Sequence, residues 1–166
     1  MLYYSVEMRG FRRKQAIEEL TMKKILLVNG PNLRLLGRRE PEIYGHDTLA
    51  DIVDACRECA GELGFELVDF QSDSEGELIS CIGEAPLKDI AGIIINPAGY
   101  THTSVALHDA LLAADLPAVE VHLSNIFKRE DFRHTSITGS ACIGVVAGFG
   151  KESYVLAVRA LAARLQ

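Results

Sequence analysis

The sequence predicts one α/β domain in which five short parallel strands are covered by helices on both faces. Three observations predict it. Short apolar runs recur along the chain without polar alternation, as in strands buried on both sides. Helical apolar spacing fills most of the intervals between them, so successive strands are joined by crossovers and run parallel. The length of 166 residues is that of one domain and falls short of the ~250 residues and eight units of a closed α/β barrel.

Residues 1–21 come before this pattern and differ from it, mixing Arg9, Arg12, Arg13 and Lys14 with Glu7, Glu18 and Glu19. They are expected to be a peripheral extension, with 22–166 as the domain. Residues 25–28 form the first strand. A helix over 48–63 follows, with Leu49, Ile52, Val53, Cys56 and Ala60 on one face and Thr48 and Asp51 at its start. Residues 65–70 form the second strand. Ser74 and Glu77 then have the spacing of a capping box, opening a helix that runs to about residue 85. A third strand over 90–95, a helix over 103–114, a fourth strand over 117–121, a fifth over 141–147 and a last helix over 151–165 complete the pattern. Five such strands suggest the flavodoxin-like doubly wound order 2-1-3-4-5. No internal repeat or low-complexity segment is present.

Composition narrows the function classes. A net charge of −6 disfavours nucleic acid, which asks for a concentrated basic face, but leaves room for a small anion held by a few arginines. No apolar run approaches the ~20 residues of a membrane span, and residues 1–21 lack the apolar core of a signal peptide. Cys56 and Cys59 are spaced C-x-x-C inside a helical pattern, with no second pair at zinc-like spacing, so no metal site is expected. Unpaired thiols and no sign of export make the cytoplasm the expected compartment.

Ligands of open α/β sheets bind beyond the carboxyl ends of the strands, and the polar residues of this chain collect there. Asn29-Gly30-Pro31-Asn32 follows the first strand, Asn96-Pro97-Ala98-Gly99-Tyr100-Thr101-His102-Thr103-Ser104 the third, and His122-Leu123-Ser124-Asn125 the fourth. The loop over 33–45 exceeds the usual two to six residues of such a connection, and its spacing leaves an active-site lid and a solvated loop equally open. Glu120 and His122 are two apart on a strand and point the same way. A carboxylate beside an imidazole favours the imidazolium and fixes its ring, which suits a general acid, although structural pairs of this kind are common. Arg129 and Arg133 lie close enough in sequence to reach one crevice. Nucleophile-elbow, phosphate-loop and dinucleotide-binding fingerprints are missing.

Taken together, residues 25–33, Arg39-Glu40-Pro41 with Tyr44-Gly45, residues 96–104, residues 120–125 and Phe132-Arg133-His134 resemble the type II 3-dehydroquinate dehydratases, in order and from about Lys24 to the C-terminus. The resemblance implies a hydro-lyase of the shikimate or quinate pathway that uses no cofactor or metal. It performs an anti elimination of water from 3-dehydroquinate through an enolate. Carried across by motif, Tyr44 is the base, with Arg39 the adjacent cation that a phenolate needs at neutral pH. His122 is the general acid oriented by Glu120, and Asn32 holds a water against the enolate oxygen. Asn96, His102 and Arg133 contact substrate hydroxyls, Leu123 and Ser124 cradle its carboxylate, and Asp109 reaches a neighbouring subunit's site. That last role implies the homododecamer, a tetramer of trimers, that the family commonly forms.

Arg34, Arg38, Asp73, Ser74, His46 and Thr135 depart from the usual residues, which suggests altered lid electrostatics or subunit contacts rather than lost activity. Three other readings compete. A receiver would want clustered acids after the first strand, and a flavin-binding module a Ser/Thr-rich loop there; Asn-Gly-Pro-Asn supplies neither. A different enzyme on the same fold and a catalytically dead relative are the others.

Overall fold

The structure, a computed structural model, describes residues 22–37 and 47–166. Five strands, β1 (Lys23–Asn29), β2 (Phe65–Gln71), β3 (Ile90–Asn96), β4 (Ala118–His122) and β5 (Gly144–Ala147), pair in parallel in the order 2-1-3-4-5. Four helices connect and cover them: α1 (Leu49–Glu62), α2 (Glu75–Glu84), α3 (Val105–Ala114) and α4 (Lys151–Leu165). The doubly wound arrangement expected from the apolar runs is therefore the one observed.

Alternation within the strands explains why they read as continuously apolar. Ile25 and Leu27 of β1, Ile94 of β3, and Val119 and Val121 of β4 pack with α1 and α4 on one face. Leu26 and Val28, Ile93 and Ile95, and Ala118 pack with α2 and α3 on the other. A side chain facing either way from these strands meets a helix, so no position has to be polar until the strand reaches its carboxyl end. Cys56 and Cys59 are buried free thiols within α1, and burial pushes the Cys56 thiol up to about 12. Among the described residues no helix is long and apolar enough to cross a membrane.

Among the departures from the sequence expectation are two element starts and one cap. α3 begins at Val105, because Ala98–His102 coils as a 3₁₀ turn and Ser104 caps the helix by accepting from the Leu107 N–H at 2.8 Å. β5 begins at Gly144 rather than 141, since Thr138–Ala141 forms another 3₁₀ turn. The box at Ser74 is half made. Ser74 accepts from the Glu77 N–H, but the Glu77 carboxylate accepts from the Ser72 hydroxyl instead of returning to the cap. At Thr48 the reciprocal box with Asp51 is complete, and these hydrogen bonds hold the Asp51 carboxyl below its ordinary range.

Candidate active site

The carboxyl ends of β1, β3 and β4 open on a cavity of about 200 Å³ lined by Asn32, Asn96, His102, His122, Leu123, Ser124, Arg129 and Arg133, with Pro31, Leu33 and Leu36 as apolar walls. The volume is below the ~300–1,000 Å³ of drug-sized ligand sites and suits a small polar molecule. Eight of the residues singled out in the sequence come together here. Register explains much of it: Asn29 lies opposite Asn96 across β1 and β3, and Ile95 lies opposite Glu120 across β3 and β4.

His122 closes the strand β4 and is buried, as is Glu120 two residues before it. The His122 Nε2 hydrogen points to Glu120 Oε1 at 2.8 Å. A carboxylate can only accept, so Nε2 carries hydrogen and Nδ1 is the nitrogen left for a ligand. Glu120 has further donors that the sequence reading missed. Ser136 Oγ donates to Oε1 at 2.8 Å, and the Thr138 hydroxyl donates to Oε2. Burial pushes the Glu120 carboxyl up, but the bonds from His122 and Thr138, the imidazole charge and the Ser136 bond together outweigh it and hold the group below its usual range. Ser136 and Thr138 sit 16 and 18 residues along the chain from Glu120, in a segment with no motif to mark them.

His102 donates from Nδ1 to the Thr135 carbonyl at 2.8 Å, which leaves Nε2 for the cavity. Arg133 donates from Nε to Glu130 at 2.9 Å and lies over the Phe132 ring at 4.9 Å. Arg129 pairs more loosely with Glu130 at 3.7 Å, and both guanidinium groups border the same space, as their spacing suggests. Together they hold the Glu130 carboxyl low, behind the contribution of its own backbone. Ser124 and the buried Leu123 follow β4 directly, and Asn125 turns the chain by accepting from the Phe127 N–H at 3.0 Å.

Asn32 has a left-handed backbone, φ 66°, which an asparagine tolerates better than most residues. Its N–H donates to Asp73 Oδ1 at 2.9 Å, while Asp73 Oδ2 pairs with Arg34 at 2.7 Å. Asp73 also accepts from Gln71 Nε2 at 3.0 Å, and its carboxyl is held low chiefly by the Asn32 N–H. Arg34 and Asp73 thus pair with each other and brace a cavity residue. Thr135 supplies the carbonyl under His102. Asp109 does not line this chain's cavity: it is exposed on α3 and pairs with His108 at 2.9 Å. Arg39 and Tyr44, with Arg38 and His46, lie outside the described residues.

Residues 23–162 match the family described as dehydroquinase class II. The chain is 53% identical over 143 residues to the 3-dehydroquinate dehydratase of Afipia carboxidovorans, covering 86% of this chain and 95% of that one. It is 56% identical over 141 residues to 3-dehydroquinate dehydratase 1 of Bradyrhizobium diazoefficiens, covering 85% and 91%. Among solved structures, the type II dehydroquinase of Propionibacterium acnes superposes with a TM-score of 0.81 at 42% identity, over 85% of this chain and 97% of that chain. On its sequence, its strand order and its solved relatives, the chain belongs to the class II dehydroquinase family.

Proposed function

We propose that the chain is a type II 3-dehydroquinate dehydratase that carries out an anti elimination of water from 3-dehydroquinate through an enolate, giving 3-dehydroshikimate in the shikimate or quinate pathway. The observation that carries this reading is the buried Glu120–His122 pair, aimed into a cavity that also holds Asn32, Asn96, His102 and Arg133.

In this reading the Tyr44 phenolate, sustained by Arg39, takes hydrogen from the carbon next to the ring ketone. The C–H electron pair becomes an enolate, whose oxygen meets a water held by Asn32. The enolate then collapses to a conjugated enone as the C–O bond breaks, and His122 gives the departing hydroxyl a proton from Nδ1, so that it leaves as water. Because Glu120 already holds the Nε2 hydrogen, His122 serves as an acid at Nδ1 only as the imidazolium, with the Glu120 carboxylate fixing its ring. Tyr44 ends protonated and His122 neutral, and proton exchange with solvent resets both. Asn96, His102 and Arg133 grip ring hydroxyls, and the Leu123 and Ser124 amides with the Ser124 hydroxyl cradle the carboxylate.

Asp109 serves a neighbouring subunit in this reading, within a cytoplasmic homododecamer whose folded unit is 22–166. The outer face of α3 supports it: Val105 and Leu112, 59% and 56% exposed, flank Asp109 at helical spacing. A helix apolar on both sides is ordinarily covered.

Adding 3-dehydroquinate to the purified protein tests the assignment. A rise in ultraviolet absorbance from the enone is expected, and it persists after borohydride treatment with substrate. No rise, or its loss to borohydride through a trapped lysine imine, overturns the reading. Tyr44→Phe is expected to lower kcat by about 10²–10⁴.

A further inference from the structure

Tyr154 is fully buried in α4 and has no part in the chemistry above, yet its hydroxyl lies between two amides at the carboxyl edge of the sheet. It accepts from Asn96 Nδ2 at 2.7 Å and donates to Asn29 Oδ1 at 2.9 Å. The direction of this relay follows from its end. Asn96 Oδ1 accepts from the Ala98 N–H at 3.0 Å, so the amide's NH₂ group must face Tyr154, and the tyrosine's one hydrogen is left for Asn29. Burial pushes the Tyr154 phenol up, so it stays a neutral donor. Asn29 and Asn96 can share it because they are opposite each other in register and both point to the face that α4 covers.

We infer that Tyr154 is a positioning residue for the substrate contact at Asn96, anchoring from the core the amide whose facing the Ala98 N–H sets. The inference rests on the reading of Asn96 as a substrate contact. Reversing the amide would set its NH₂ against the Ala98 N–H, and without the Tyr154 hydroxyl that NH₂ group would lose its partner in the core. With the relay intact, one N–H and one lone pair of Asn96 remain, in a fixed orientation, for a ligand.

Steady-state kinetics on Tyr154→Phe, Asn96→Ser and the double variant test it, with melting curves to confirm folding. Tyr154→Phe is expected to raise KM about five- to tenfold while kcat changes less than about twofold, the pattern of a lost binding contact. In the Asn96→Ser background the same change is expected to add nothing to KM. An unchanged KM in Tyr154→Phe, or an equal rise in both backgrounds, makes Tyr154 a packing residue and overturns the inference. If Asn96→Ser alone leaves KM unmoved, the contact role of Asn96 fails, and the inference falls with it. Asn29→Ser removes the carboxamide that accepts the tyrosine's hydrogen while leaving Tyr154 and Asn96 in place. It carries the test if Tyr154→Phe does not fold, with an expected KM rise of about two- to threefold that vanishes in the Asn96→Ser background.

Discussion

Glu120 is fully buried and still held as a carboxylate, because His122, Ser136 and Thr138 meet both its oxygens. Glu120→Gln keeps the shape but removes the negative charge beside the His122 ring. It is expected to lower kcat by about 10²-fold, with KM little changed, in the enone assay. The same group makes stability depend on pH. Its folded carboxyl lies below the ordinary 4.5, so its contribution is fully present above that value and is lost as pH falls through the folded one. Thermal melts taken from neutral to acid conditions should show a decline in the parent protein that is shallower in Glu120→Gln. Asp73 is the other informative single residue, since it holds the Asn32 N–H. Asp73→Ala is expected to lower kcat/KM by about three- to tenfold, and Asp73→Glu to restore some of it. No effect in either variant would mean that Asn32 keeps its place without this brace.

Elements meet most tightly where β1 and β3 leave the sheet. The Gly30 N–H donates to the Asn96 carbonyl at 2.8 Å, and a Cβ at Gly30 would come within 2.6 Å of the Pro97 carbonyl oxygen. Gly30→Ala must therefore separate the loops after β1 and β3, both of which border the cavity. A loss of about 1–3 kcal/mol by denaturant unfolding is expected, together with reduced turnover. Much of this level was legible in the sequence. The helix over 151–165 begins and ends where its apolar spacing predicts, and the polar residues after the first, third and fourth strands do converge. The start of α3 and the length of β5 were not legible, because the 3₁₀ turns before them are held by tertiary contacts. One such contact is the bond from the Ile137 N–H to the Thr101 carbonyl at 2.9 Å.

At the scale of the whole molecule, the doubly wound layers bury both faces of β1, β3 and β4 but leave α3 with exposed apolar side chains, Val105 and Leu112, on either side of Asp109. If Asp109 completes a neighbour's site, then mixing an inactive Asp109→Ala protein with an inactive His122→Ala protein, under conditions that let subunits exchange, should restore some of the activity. Some sites then combine an intact His122 with an intact Asp109. No recovery after demonstrated exchange would confine Asp109 to its own chain. Sedimentation of the parent protein is expected to give about twelve times the 18.2 kDa of one chain.

What the sequence determined alone is the architecture and the place of the site. Apolar runs with helical spacing between them admit few arrangements other than a covered parallel sheet, and polar residues at strand ends have only one edge at which to gather. Tertiary structure alone decided who holds whom. Glu120 finds Ser136 and Thr138, Asn96 finds Tyr154, and Asn32 finds Asp73 across separations of 16 to 58 residues. The physical reason is that a buried polar atom must find a partner wherever the fold brings one within reach, and a one-dimensional pattern carries no record of that distance.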